Sequence, residues 1–351
     1  MTDYLVVGLG LAGISFCEQL EAHGKTYHVI SDQSQTSSSV AGGLCNPVIL
    51  KRLKLPWRVK EQLEIALPYY QLLEKKLQTE LIHELTVCRR FYSVEEQNLW
   101  FEAADKIGVG TFLSPVVHQN ENKFIDAPFG YGKVLNTYRV DTKKLVTAYS
   151  DFLQKRNCLT KEQFDHLALH MAADAVSYGH HKARNIVFCE GFGVRKNPIF
   201  KYLPINGTKG EYVIIRAPEL KEEKAIKASI FCIPLGYDLY KIGANYDHSD
   251  KTNFPTAATK ASLLEKMKSF IKCDYEVVDH IAGVRPTVVD RKPIIGKSIP
   301  HNSAYIFNGL GSRGVLAAPF LAKQLFLHIE KKEPIDNEID SNRFTKNYFK
   351  N

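Results

Sequence analysis

Residues 1–32 constrain this chain more than any other stretch. Asp3 to Gly8 is apolar after its opening charge, and Gly8-Leu-Gly10-Leu-Ala-Gly13 follows at once. Ile14 to His23 reads as a helix, and Lys25 to Ile30 is a second apolar run closed by Ser31-Asp32. Strand, glycine turn, helix, strand is the order of a dinucleotide-binding unit. Gly8 permits the tight turn, Gly10 lets backbone approach a pyrophosphate, and Gly13 lets the helix pack close on the strand. Leu11 and Ala12, at the helix start, offer free N–H groups to phosphate oxygens. A carboxylate ending the second strand usually takes the ribose hydroxyls. Ser31 fills that place and Asp32 comes one residue later, so the role is either shifted or shared. An ordinary strand-to-helix turn can carry the same glycines; the context, not the pattern alone, gives them weight.

With 351 residues the chain exceeds one small core, which predicts two domains or one domain with a large insertion. A hydrophobic share of 44% with 24% charged residues is that of a soluble globular protein. No cationic leader precedes an apolar stretch and no run is long enough to span a bilayer. The seven cysteines are scattered and never spaced Cys-x-x-Cys, which predicts reduced thiols in the cytoplasm and no zinc site. The formal charge of +8 is spread thinly. Its densest pieces, Lys51-Arg52-Leu-Lys54 continuing to Arg58 and Lys60, and Lys331-Lys332, read as solvated surface, with an RNA partner as the alternative.

Along the chain, Gln33 to Ser39 is a polar loop leading into Ser38-Ser39-Val-Ala41-Gly42-Gly43-Leu44. This run of small residues lets backbone pass close to something flat or charged. Trp57 to Glu80 has helical periodicity, and Leu85 to Tyr138 reads as short strands. Asp141 is placed to cap a helix carrying Leu145, Tyr149 and Leu153. Strands are expected at Lys161–His170, Ala175–Tyr178, Arg184–Glu190, Glu211–Ile215, Ala228–Ile233, Leu239–Gly243 and Ala304–Phe307. Helices are expected at Thr256–Ile271 and Val315–Glu330. The fold class is therefore mixed α/β: a Rossmann-like binding domain (1–84, 139–204 and 281–351) interleaved with an antiparallel-sheet domain (85–138 and 205–280).

Five motifs in this order resemble the D-amino-acid oxidase and glycine oxidase family of FAD-dependent oxidoreductases. They are Gly8-x-Gly10-x-x-Gly13, the loop 38–44, Ile186-Val-Phe-Cys-Glu-Gly191, Gly283-Val-Arg285-Pro-Thr-Val-Val-Asp290-Arg-Lys-Pro-Ile-Ile-Gly296, and Gly309-x-Gly311-Ser-Arg313-Gly314. Leu310 to Pro319, Lys241-Ile-Gly-Ala-Asn-Tyr246 and Glu333-Pro-Ile335 are also similar to segments in the FAD domain of a bifunctional tRNA enzyme making 5-methylaminomethyl-2-thiouridine. The methyltransferase half of that enzyme has no counterpart here.

The resemblance implies FAD held by Gly8, Gly10, Leu11, Ala12, Gly13, Ser31, Asp32, Ser38, Ser39, Ala41, Gly42, Gly43, Leu44, Cys189, Glu190, Gly191 and the turn Gly311, Ser312, Arg313, Gly314, Val315. Leu167 is a further candidate, through its backbone, for the adenine. No cysteine stands near Gly283, which implies a non-covalent flavin. Where relatives place a tyrosine before Ile-Pro, this chain has Phe231 or Cys232. The implied reaction is oxidation of a C–N bond by hydride transfer to flavin. Arg285 is the candidate for the substrate carboxylate, since a planar fork matches it bidentately; its bland alternative is an ion pair with Asp290 or Asp279. Arg313 could face flavin or substrate, or be tied to backbone carbonyls. Asp247-His248-Ser249-Asp250 fits no familiar metal cage, so no metal is expected.

The leading reading is an enzyme acting on a small amine or amino acid. The others are demodification of carboxymethylaminomethyl-uridine in tRNA, a flavoprotein module without turnover, and a nicotinamide dehydrogenase. Electron acceptor and oligomeric state are not encoded in any motif.

Overall fold

The computed structural model describes residues 1–172 and 174–347; the last four residues of the expected 281–351 piece lie outside it. The opening unit forms as the sequence predicts, with strand Thr2–Val7, helix Leu11–Ala22 and strand Tyr27–Ile30. These elements are almost wholly buried, as near-continuous apolar runs in a two-sided parallel sheet must be. The sheet has eight strands. Its parallel core runs Leu159–Thr160, Tyr27–Ile30, Thr2–Val7, His181–Phe188, Ala304–Asn308, with Ile294–Lys297 antiparallel at the edge. Helix Gly314–Lys331 packs beside Leu11–Ala22 and helix Val59–Leu77 packs on Gly314–Lys331, where the Tyr70 hydroxyl donates to the Val315 carbonyl at 2.7 Å. Asp141 caps helix Thr142–Lys155 by accepting from the Lys144 N–H at 3.0 Å.

A second eight-stranded sheet runs Glu276–Val288, Ile205–Arg216, Leu239–Gly243, Phe231–Gly236, Ala225–Lys227, Val87–Arg90, Tyr131–Val134, Leu113–His118. It is antiparallel except where Ala225–Lys227 meets Val87–Arg90 side by side in parallel. That parallel seam joins the two excursions of the chain, which no hairpin connects. Helix Ala257–Lys268 closes one face through Leu263 and Met267, buried with Phe270. The expected boundary at 281 falls inside strand Glu276–Val288, which pairs along its length with Ile205–Arg216.

Three local expectations are corrected. Lys161–His170 is not one strand: Leu159–Thr160 ends first, a short 3-10 turn covers His166–Ala168, and Leu169–Met171 pairs with Val176–Tyr178. Residues Ala228–Ile233 split into a turn and strand Phe231–Gly236. Within 85–138, expected to hold only strands, Val94–Ala104 is a helix. Ser93 accepts from the Glu96 N–H while Glu96 accepts from the Tyr92 N–H, so two orphan donors at the helix start are satisfied. Among the described residues no helix is long and apolar enough to cross a membrane, and the seven cysteines are unpaired.

Candidate active site

A cavity of about 1310 Å³ runs from the glycine turn to the second sheet. At one end Gly8 sits at φ +98°, where a Cβ would lie 2.5 Å from the Cys189 carbonyl oxygen. A Cβ on Gly13 would lie 2.1 Å from the Gly8 carbonyl oxygen, so the helix can approach the strand only because no side chain intervenes. Gly13 thus shapes the turn from behind and does not line the cavity. The helix start has no cap from Gly10 itself; the Ser38 hydroxyl accepts from the Leu11 N–H at 3.1 Å. Ser31 is buried and accepts from the Gln33 N–H, whereas Asp32 is exposed and accepts from the Ser34 N–H. Both line the cavity, and neither carboxylate nor hydroxyl is committed to a distant partner.

The neighbouring wall holds Glu190, buried, with one carboxylate oxygen against His166 Nε2 at 2.7 Å and the other accepting from Asn197 at 2.7 Å. Cys189 lines the same end, and burial pushes its thiol up. It packs as a small apolar group behind the glycine turn. Leu167 does not take part. It is 90% exposed, and its N–H is given to the Asp165 carboxylate. The cavity is lined instead by Gln163, Phe164 and His166, a register that the overlong strand expectation hid.

In the middle, Ser38, Ser39, Ala41, Gly42, Gly43 and Leu44 form a lining wall, its first part a short helix, Ser37–Val40. A Cβ on Gly42 would meet Ile233 at 2.8 Å and the Tyr212 hydroxyl at 3.2 Å. Behind this wall the buried Lys241 ammonium donates to the Ala41 carbonyl at 3.0 Å and lies 5.4 Å from the Tyr212 ring centre. Burial pulls Lys241 down to about 8. Facing the wall, Gly311, Ser312, Arg313, Gly314 and Val315 lead into the last helix with its N–H groups at the cavity. Arg313 is mostly buried, which lowers it from the usual guanidinium value, with Tyr246 acting in the opposite direction. No carbonyl or carboxylate holds its side chain among the described residues.

At the far end Arg285 projects from strand Glu276–Val288. Its guanidinium lies across Gly210, where a Cβ would be 1.9 Å from Nη2, and 4.7 Å from the Tyr246 ring centre. Nη1 donates to the Lys209 and Asn245 carbonyls at 3.4 and 3.3 Å. The ion pairs weighed as the alternative do not form: Asp290 pairs with Arg343 at 2.9 Å, and Asp279 accepts from the His280 N–H. Under the Arg285 strand, the wholly buried Lys209 is neutralised by Glu211 and Asp250, which gives Asp250 a role other than metal ligation. Phe231 lines the cavity and Cys232 turns into the core of the second sheet. The tyrosines that line the cavity are Tyr92, Tyr212 and Tyr246, the last two beside Arg285. Tyr246 stood in the Lys241–Tyr246 motif, and the alternation of Glu211–Ile215 could have found Tyr212.

Residues 3–326 match the FAD dependent oxidoreductase family, DAO. The chain belongs to this family. Its fold is that of glycine oxidase from Geobacillus kaustophilus, with TM-score 0.82, 18% identity and 96% of each chain covered. Iminodiacetate oxidase from a Chelativorans species aligns with TM-score 0.78 and 16% identity, over 95% of this chain and 97% of that one. The bifunctional protein ThiO/ThiG of Trichormus variabilis is 27% identical over 156 residues, spanning 41% of this chain and 23% of that longer protein. For this DAO-family chain the cavity fits the cofactor. The helix start, where Ser38 takes only the Leu11 N–H, would hold a pyrophosphate, and the Gly42–Gly43 wall, too close for side chains, would hold a flat ring. The N–H groups ahead of the last helix line the same cavity and would stabilise negative charge on a reduced ring.

Proposed function

We propose that this FAD-dependent oxidoreductase oxidises the C–N bond of an amino acid or a glycine-like secondary amine. One observation carries the reading: Arg285, half-buried in the cavity wall, has carbonyl partners and an aromatic neighbour but no carboxylate among the described residues. Such a fork is ready for a substrate carboxylate. Carbonyl bonds and the Tyr246 face fix its plane in advance, so little ordering cost remains on binding. The flavin, when bound, supplies the acceptor for the two electrons lost as the amine becomes an imine. Around it the protein orients the substrate through Arg285 and excludes water with Phe231, Leu44 and Trp57. Arg313 adds positive charge beside Tyr246. We infer that FAD is bound non-covalently, because Cys189 is the lining cysteine and it is packed behind the glycine turn. Sheet membership supports assigning the strand Glu276–Val288 to the substrate half, with the boundary after Val288. The unpaired cysteines support a cytoplasmic location.

A second reading, demodification of a carboxymethylaminomethyl-uridine in tRNA, uses the same bond chemistry. It is favoured by Lys51 and Arg52, exposed cations at the cavity edge. Lys54 and Arg58 do not line it, and Arg58 is engaged by Glu61 and Phe320. Anaerobic bleaching of the bound flavin by glycine, N-methylglycine, D-amino acids and under-modified tRNA, each added alone, tests both. Bleaching by a small amine supports the first reading, and bleaching by tRNA alone transfers the function to the second. Bleaching by none sinks both.

A further inference from the structure

The parallel seam of the second sheet places two cations next to each other. Lys227 and Arg89 are register partners on strands Ala225–Lys227 and Val87–Arg90, and both line the cavity that holds Arg285. Like charges directly across a strand pair repel. A third cation, Lys51, lines the same region and opposes the charge on Lys227, as Arg89 and the more distant Lys266 also do. Neutralisation is incomplete. Glu96 pairs with Arg89 at 2.8 Å, but the Lys227 ammonium donates only to the Ser229 carbonyl at 2.8 Å and otherwise faces the Phe231 ring at 5.0 Å.

Burial, then Arg89 and Lys51, pull Lys227 down to about 8, the direction expected of an ammonium held among cations without an acid. The carboxylates that do line the cavity belong elsewhere: Glu190 is held by His166 and Asn197, Asp290 by Arg343, Glu162 lies with Tyr178 and His181, and Asp32 folds onto its own loop. A surface lysine escapes such repulsion by swinging into water. Lys227 cannot do so freely, because its stem starts from a strand in the cavity wall. The arrangement becomes favourable when an anion enters and is shared among the cations.

We propose that Lys51, Arg89 and Lys227 form a second anion subsite, which takes a carboxylate or phosphate carried by the substrate in addition to the carboxylate held by Arg285. This rests on the Arg285 reading given above and narrows it. The substrate is a glycine-type amine with a further anionic arm, and a plain neutral amino acid fills only part of the cavity. The arm can be a small acid or the phosphate of a nucleic acid, since both offer the same oxygens.

Three unreactive carboxylates test it on the FAD-loaded enzyme, each a butyrate chain that is bare or ended by a second anion: butyrate, glutarate and 4-phosphonobutyrate. Binding is read from the visible spectrum of the flavin and by calorimetry. The two dianions should bind about tenfold more tightly than butyrate, a preference that shrinks as salt is raised. Lys227→Met combined with Arg89→Met should bring the ratio of dianion to butyrate affinity to about one. Lys227→Arg should keep the preference. Should the double variant fail to fold, the exposed Lys51→Met must by itself reduce the ratio. Equal affinity for all three ligands in the wild type overturns the proposal, as does a preference that survives both Lys227→Met and Lys51→Met. Arg285→Ala separates the two layers. If it leaves butyrate binding unchanged, the Arg285 reading fails; if only the dianion preference is missing, the second subsite fails. Displacement of phosphonobutyrate by a short single-stranded RNA assigns the arm to a nucleic acid. Failure of that RNA to compete assigns it to a small acidic substrate.

Discussion

At the scale of single residues, Arg285 decides most. Its fork lies flat across Gly210 against two carbonyls, a geometry that an ammonium cannot reproduce. Arg285→Lys should lower kcat/KM for carboxylate substrates about a hundredfold, and Arg285→Ala further still, while the flavin spectrum stays. Steady-state kinetics with flavin absorbance checks both, and an unchanged kcat/KM would remove Arg285 from the site. Lys241 gives a pH signature. Its folded value is held at about 8, below an unfolded value of about 10.4, so between these values the unfolded chain binds the extra proton. Stability therefore rises with pH across that window, by up to roughly 3 kcal/mol. Urea melts at pH 7.5, 9 and 10 should show this rise in the wild type and a smaller one in Lys241→Met. Arg285 was singled out through the resemblance of its motif to the family's carboxylate-binding arginine, and the structure puts it in the cavity wall. Leu167 was misplaced because the run from Lys161 has strand-like composition yet contains an Asp165 carboxylate that captures its own loop. Tyr212 escaped notice because an alternating strand does not declare which face meets a cavity, and Tyr246 because it follows its strand, Leu239–Gly243, in a loop.

Among elements, the glycine turn tolerates least. In Gly13→Ala the new methyl would sit 2.1 Å from the Gly8 carbonyl oxygen, which forces the helix off the strand. Loss of about 3 kcal/mol or more and of bound flavin is expected. The ratio of flavin to protein absorbance after purification measures it, and full flavin content would contradict the packing argument. The opening unit was readable because periodicity, glycines and burial agree there. Helix Val94–Ala104 was missed although Ser93-x-x-Glu96 announces it; its weakly patterned surface, with Leu99 exposed at 56%, hid the period. Ser93→Ala should cost about 1 kcal/mol, seen as a lower urea midpoint.

For the whole molecule, the interleaving of two sheets could be read as two excursions from a nucleotide-binding frame. The parallel seam between Ala225–Lys227 and Val87–Arg90 could not, since strand partners from distant segments leave no local mark. A cavity floored by one sheet and roofed by the other links their stability through the flavin. Stripping FAD should lower Tm, with about 4 kcal/mol lost relative to protein at a thousandfold excess over Kd. A scan of apo and reloaded protein checks it, and coincident melts would deny the link.

The strand order has a temporal consequence. Thr2–Val7 leaves the ribosome roughly 300 residues before its sheet gains Ala304–Asn308 and the helix that follows it gains Gly314–Lys331. At ordinary elongation speeds the opening unit waits on the order of half a minute for those later elements. During that interval the face of helix Leu11–Ala22 that meets Gly314–Lys331 has neither flavin nor that neighbour to cover it, so the nascent chain is vulnerable long before its chemistry exists.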